Sequence, residues 1–324
     1  NFPFWQVFRY TAPGLVAGNT TLLKHASNVS RCALAIETIL RDAGVPDGVF
    51  VTLLVPSSRV NGLIADERIA AVTLTGSEPA GRAVGAAAGA HLKKTVLELG
   101  GSDPFIVLDD ADLEKTAACA VTARYQNCGQ SCIAAKRFIV TPGIHDRFLE
   151  AFRSAVSELK PADPMDPDTR IGPMARTDLR DELHRQVSDA VHKGARVVIG
   201  GEVPEGPGAW YPPSILADTH PGMKLWAEEV FGPVAVVIRA GNEAAAVAIA
   251  NASRFGLGGS VWTRDPERGE AVARRLACGA AFVNTVVKSD PRLPFGGIKA
   301  SGYGRELSRH GLREFVNAKT VWAG

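Results

Sequence analysis

The chain has 324 residues, enough for two domains and a large core, and its 46% hydrophobic and 22% charged residues are the balance of an ordinary soluble globular protein. A net charge of +2 gives no reason to expect nucleic acid or an acidic membrane surface as a partner. Five cysteines are too few, and odd in number, for a disulfide framework, which fits a reducing, cytoplasmic setting. No run of 18 apolar residues suggests a membrane span. The opening NFPFWQVFRY lacks the basic and apolar regions of a signal peptide, and a chain starting on Asn1 reads as beginning in the middle of something.

TTLLK (20–24) reads as a strand ending at Lys24. Residues 29–43 follow with apolar residues at helical spacing, stopped by Gly44 and Pro46. VFVTLLV (49–55) and IAAVTLTG (69–76) are further strands, the second turning through TGS into a helix rich in small residues, 79–92. TVLELGG (95–101) and PFIVLDD (104–110) are strands again. Helices are expected over 111–124, 144–159 and 176–193, and short strands at 137–140, 196–199, 234–239 and 259–262. The stretches 160–173 and 202–213 are Pro-rich or Gly-rich connections. KTVW (319–322) reads as a last strand whose partner is another part of the chain or another subunit. Strands alternating with helices predict an α/β fold built on a doubly wound, mainly parallel sheet.

Four stretches could carry chemistry. NCGQSC (127–132) holds two of the five cysteines, with Lys136 and Arg137 close behind and no acidic residue within it. Its spacing is not the usual zinc spacing, and no second Cys or His pair lies near. A reactive thiol needs a thiolate, which positive neighbours favour, whereas composition alone favours a buried, inert cysteine. In LELGG (97–101), Glu98 is a structural acid or a general base with a raised pKa, beside two glycines that allow close backbone approach. TLTGSEPAG (73–81) aims a hydroxyl and backbone N–H groups from a helix N-terminus, a phosphate-binding arrangement outside the GxGxxG and P-loop patterns. LPFGGIKASGYGRE (293–306) is a glycine cluster of tight turns.

Together these stretches resemble the aldehyde dehydrogenase superfamily. The matching pieces run in family order: NFP (1–3), Lys24, TGSxxxG (75–81), ELGG (98–101), NxGQxC (127–132), ExFGP (229–233), Asn284 and PFGG (294–297). QNCGQSCIAAKRF (126–138), VKSDPRLPFGGIKASGYGREL (287–307) and REFVNAKTVW (313–322) look most like the succinate-semialdehyde dehydrogenase branch. The resemblance implies the C-terminal part of a Rossmann-like NAD(P)-binding domain over 1–99, a catalytic thiol domain over 100–303, and a C-terminal helix and oligomerisation strand over 304–324. It makes Cys132 the nucleophile, Glu98 the general base, and Asn1 an oxyanion ligand beside the Cys132 backbone N–H. Lys24 would hold the cofactor ribose, Gly76, Ser77 and Gly81 the pyrophosphate, and Glu229 and Phe231 the nicotinamide ribose and ring. The partners implied are a small-molecule aldehyde and further copies of the full-length chain, with neither nucleic acid nor a membrane.

The chain departs from the family pattern in four places. Where many relatives carry a Glu three residues after the lysine, KHAS has Ser27. A carboxylate there repels a 2′-phosphate and a serine does not, so the cofactor is expected to be NADP or NAD with NADP favoured. Arg9 and Ser289 stand where semialdehyde enzymes bind the distal carboxylate, but a second arginine of some relatives is Gln126 here. Cys128 beside the nucleophile is a buried filler or the partner in a reversible disulfide. Finally, relatives carry a large segment before NFP, so the 324 residues alone are expected to be poorly soluble or inactive.

Overall fold

The computed structural model describes residues 1–324, which form two compact units. The first comprises Phe2–Leu99, Ser289–Gly296 and Gly302–Gly324, and the second Asn1, Gly100–Lys288 and Gly297–Ser301.

The first unit begins with α1 (Trp5–Val16), which carries Pro13 in its last turn, so the Arg9 carbonyl lacks its intrahelical N–H donor. Then come β1 (Thr21–Leu23), α2 (Ser30–Asp42), β2 (Phe50–Thr52), α3 (Val60–Ala65), β3 (Ala71–Thr75), α4 (Glu78–Ala90) and β4 (Lys94–Glu98). β1 and β2 pair in parallel, and Val7, Ile36 and Phe50 form the small core beneath them. α4 carries three glycines, a weak helix composition. Two of them have a packing reason: a Cβ on Gly81 would lie 2.4 Å from Leu99 Cδ2, and one on Gly85 3.4 Å from Leu97 Cδ1.

The second unit runs through β5 (Asp103–Val107), α5 (Leu113–Tyr125), β6 (Ala135–Val140), α6 (His145–Ser157), α7 (Thr177–His192), β7 (Arg196–Ile199), β8 (Ser214–Ala217), α8 (Lys224–Ala227), β9 (Val234–Arg239), α9 (Glu243–Asn251), β10 (Phe255–Gly256), β11 (Gly258–Trp262), α10 (Pro266–Ala273), β12 (Ala280–Val283) and β13 (Ile298–Lys299). Seven strands form one sheet in the order β12-β11-β5-β6-β9-β8-β7, parallel except for β7 against β8. β5, β6, β8 and β11 are buried along their whole length, as a parallel sheet covered on both faces requires. Within it Phe105 stacks on Trp262 with ring centroids 4.8 Å apart and packs at a tilt against Phe138 at 5.0 Å.

The chain then returns to the first unit with β14 (Gly302–Tyr303) and α11 (Ser308–Glu314). β14 adds antiparallel to β4, giving a three-stranded sheet β14-β4-β3. The close pairing depends on Gly302, where a Cβ would lie 1.9 Å from the Leu97 carbonyl oxygen. The doubly wound sheet is thus confirmed as α/β and mainly parallel, but it is several sheets rather than one. KTVW (319–322) pairs with no strand of the same chain, and Val321 and Trp322 are 81% and 89% exposed. A strand exists only through pairing, and the single chain gives this segment nothing to pair with.

Candidate active site

In the second unit, α5 runs into a 3-10 turn, Gln126–Gly129, that leads to Cys132. Asn127, Cys128 and Gly129 all have positive φ, at 53°, 54° and 67°. For Cys128, this left-handed conformation costs about 1–2 kcal/mol, so something must over-determine the turn. That support is Arg124, fully buried, whose guanidinium donates to the carbonyls of Ala135 (3.0 Å), Gly129 (2.8 Å), Val230 (3.2 Å) and Gly232. Burial without a carboxylate partner pushes the Arg124 pKa down to about 10. A Cβ on Gly129 would lie 2.4 Å from the Gly232 carbonyl oxygen, so the NxGQxC and ExFGP motifs meet at their glycines. From Asn1, Nδ2 donates to the Gln130 carbonyl at 2.9 Å, which brings the predicted oxyanion ligand onto the nucleophile turn.

The two cysteines of the turn differ. Cys128 packs into the main core, and burial pushes its thiol up to about 12. Neither cysteine is in a disulfide, and Cys132 is only half-buried. Of the two basic neighbours, Arg137 is structural, donating to the carbonyls of Ser102, Ile249 and Ala250. Lys136 alone serves the turn: Nζ donates to the carbonyls of Ser131 at 2.8 Å and Cys132 at 2.7 Å, with no part of the residue exposed. The same ammonium lies 3.5 Å from Glu229 Oε1, which also accepts from Gly101 N at 3.1 Å. Burial lowers the Lys136 pKa, opposed chiefly by Glu229 and Asp103.

The glycine pair of ELGG follows from this packing. A Cβ on Gly100 would lie 2.2 Å from Glu229 Oε2, and one on Gly101 2.6 Å from the Cys132 carbonyl oxygen. Phe231 is half-buried just after Glu229.

In the first unit, Glu98 ends β4 with 2% exposure, and neither carboxyl oxygen has a hydrogen-bond partner. Burial, and then repulsion from Glu306, raise its pKa well above the ordinary carboxyl value, with Arg9 and Arg305 opposing. The space beside it is made by Gly296 of PFGG, where a Cβ would lie 2.7 Å from Glu98 Oε1. Arg9, expected near the distal carboxylate, sits in a buried ion pair. It is 3% exposed, its Nε is 2.6 Å from Glu306 Oε2, Nη2 donates to Thr75 Oγ1 at 3.1 Å, and its guanidinium covers the Phe295 ring. Ser289 Oγ accepts from Trp5 Nε1 at 3.1 Å and retains its own hydroxyl proton as a donor.

The expected cofactor residues of the first unit also fit a dinucleotide. Ser77 is the N-cap of α4 in extended conformation, and its side chain makes no capping hydrogen bond, so the helix start is open to an anion. Gly76 and Ser77 are exposed there, and Gly81 lets the helix approach the strand. Lys24 stands at the end of β1, half-buried and outside any ion pair, and Ser27 opens the following 3-10 turn, exposed. His25 between them is fixed in one tautomer. Its Nδ1 accepts from Ala26 N at 3.0 Å, so Nε2 carries the proton and donates to the Pro3 carbonyl at 2.8 Å. Sequence reasoning missed Arg124 and His25, whose roles rest on backbone carbonyls that no pattern displays.

The sequence matches the aldehyde dehydrogenase family over residues 1–321, and the chain belongs to that family. It is 54% identical over 324 residues to succinate-semialdehyde dehydrogenase [NADP(+)] 1 of Mycobacterium ulcerans, covering 100% of this chain and 71% of the relative. The probable succinate-semialdehyde dehydrogenase [NADP(+)] of Synechocystis is 53% identical, with 99% and 71% covered. Among solved structures, the succinic semialdehyde dehydrogenase of Streptococcus pyogenes in complex with NADP+ superposes with a TM-score of 0.97 at 40% identity, covering 99% of this chain and 71% of that one. The chain is therefore an enzyme of the aldehyde dehydrogenase fold.

Proposed function

We propose that this aldehyde dehydrogenase oxidises succinate semialdehyde to succinate with NADP, NAD being the poorer cofactor. The observation that carries the reading is the likeness over the whole chain to NADP-dependent succinate-semialdehyde dehydrogenases at 54% identity. Ser27 in place of an acidic residue supports the cofactor preference, because it leaves a 2′-phosphate unopposed near Lys24. The full-length protein is proposed to work as a cytoplasmic homo-oligomer. No helix of the chain is long and apolar enough to cross a membrane.

In this reading Cys132 Sγ attacks the aldehyde carbon, and the carbonyl oxygen becomes an oxyanion facing the Asn1 amide and the Cys132 N–H. Lys24, Ser27 and the α4 N-terminus with Gly76, Ser77 and Gly81 hold the dinucleotide, and Glu229 and Phe231 hold its nicotinamide end. A bound dinucleotide supplies the hydride acceptor that turns the thiohemiacetal into a thioester. Glu98 then takes a proton from water as that water attacks the thioester carbon, releasing the acid and the Cys132 thiolate. Ser289 is proposed to donate to the distal carboxylate, and Arg9 to shape the pocket through Glu306 rather than bind substrate. The test is a panel of carboxylated and uncharged aldehydes against both cofactors. The expected result is the highest kcat/KM for succinate semialdehyde with NADP. An uncharged aldehyde that outperforms it tenfold would refute the substrate, and a clear NAD preference would refute the cofactor.

A further inference from the structure

The chemistry proposed for Cys132 needs a backbone N–H aimed at the developing oxyanion, and a turn with three consecutive positive φ angles does not aim it unaided. The N–H of Cys132 and the C=O of Ser131 belong to one planar trans peptide unit, so they point in opposite directions. The Ser131 carbonyl accepts from the buried Lys136 ammonium at 2.8 Å and from Ala134 N at 3.1 Å. The Cys132 N–H must therefore point away from Lys136. The next peptide is anchored in the same way, through the Cys132 carbonyl at 2.7 Å. One ammonium thus sets two successive peptide planes on the two sides of the nucleophile's Cα. It also polarises the first of them, which makes the N–H a stronger donor.

Lys136 is itself held. Its residue is fully buried, Glu229 Oε1 lies 3.5 Å away, and Gly101 N holds that carboxylate from the other side. A hydrophobic residue in its place would leave the Cys132 carbonyl without its donor and the Ser131 carbonyl with the Ala134 N–H alone, and a neutral amide could serve only one of them well.

We propose that Lys136 is a positioning residue that aims the Cys132 N–H at the oxyanion by clamping the Ser131 and Cys132 carbonyls on the opposite side. This inference rests on Cys132 being the nucleophile. It concerns a step that needs no dinucleotide, so it is tested without one.

Two reactions of the same thiol separate aiming from general damage. Acylation by p-nitrophenyl acetate passes through a tetrahedral oxyanion, whereas alkylation by iodoacetamide does not. Both rates are taken from their alkaline plateaus, where the thiolate fraction is complete and any change in thiol pKa drops out. Lys136→Gln is expected to lower acylation by about 100-fold and alkylation by less than threefold. Equal losses in both reactions, or an unchanged acylation rate in a folded variant, would overturn the proposal. Mass spectrometry assigns the modified cysteine. If neither reagent marks Cys132 in the unsubstituted protein, the nucleophile reading fails, whereas acylation insensitive to Lys136 fails this inference alone. If Lys136→Gln does not fold, a crystal structure of the unsubstituted protein with a trifluoromethyl ketone on Cys132 decides. The adduct oxygen is expected about 3 Å from Cys132 N with the Lys136 contact to Ser131 intact, and an oxygen pointing elsewhere would overturn the assignment.

Discussion

Glu98→Gln separates the two halves of the proposed reaction. Glu98 is 2% exposed and both its carboxyl oxygens lack partners, so an amide of nearly the same shape breaks no hydrogen bond made by the acid. Its effect should therefore be chemical. Losing a general base typically removes about 10²–10⁴ in rate, or about 2.7–5.4 kcal/mol of transition-state stabilisation. The loss should fall on thioester hydrolysis, leaving attack by Cys132 intact. Acyl-Cys132 is then expected to accumulate, and intact-protein mass spectrometry after a rapid quench would detect it, while steady-state turnover falls by the factor above. The pH dependence gives a second check. Burial and Glu306 raise the Glu98 pKa, and the base is active only when ionised, so the acid limb of kcat should lie well above the ordinary carboxyl range and vanish in the variant. For stability the sign is opposite. A carboxyl whose folded pKa is raised contributes stability below its unfolded value and loses it as pH rises through the folded value. Glu98→Gln should accordingly melt higher than the parent at alkaline pH, with the difference closing in acid. A variant that turns over within threefold of the parent and shows no adduct would refute the role of Glu98.

Three further substitutions test the rest of the site. Ser27→Glu places a carboxylate where a 2′-phosphate is proposed to lie. The KM for NADP should rise about 100-fold, as a like-charge contact of several kcal/mol requires, and an unchanged NADP to NAD ratio in kcat/KM would sink that placement. Gly101→Ala puts a Cβ 2.6 Å from the Cys132 carbonyl oxygen. A thermal melt should record a loss of about 1–3 kcal/mol together with at least tenfold slower acylation of Cys132, and a native melt with native acylation would show that the turn tolerates the methyl group. Arg9→Met leaves Glu306 buried and unpaired, since the side chains of the pair are 4% and 2% exposed. Denaturant unfolding should show a loss of about 3–5 kcal/mol. A native midpoint combined with a raised KM only for carboxylated aldehydes would restore Arg9 as a substrate anchor.

Most secondary structure was legible where an element had its own period or punctuation. β7 and β9 have the predicted bounds, and α2, α6 and α7 fall within a residue or two of them. α9 and α10 are less obvious because their alanine-rich sequences show no strong apolar face. Their N-caps nevertheless stand in the sequence: Asn242 accepts from Ala245 N, and Asp265 from Glu267 N and Arg268 N. α1 is concealed by Pro13 and Gly14, whose residue types read as breakers although the helix runs through both. The segment 319–322 has β-propensity but pairs with no strand of its own chain, because β-propensity describes only what a segment can pair with.

The sequence by itself determined the family and the identity of the reacting groups, because catalytic motifs are local and their residue types are dictated by chemistry. A thiol after GQ, a carboxylate before a glycine pair and a glycine-serine turn at a helix start can be read one stretch at a time. Only the tertiary structure decided what each group can do. Glu98 has a raised pKa because folding buries it near Glu306 without a hydrogen-bond partner. Arg9 is drawn into a buried ion pair because Glu306, almost 300 residues away in sequence, closes on it at 2.6 Å. Lys136 and Arg137 are adjacent and equally basic in the sequence, yet one grips the nucleophile turn and the other the end of α9. The reason is the alternation of a strand: neighbouring side chains leave on opposite faces, and what each face meets is set by chain segments far away.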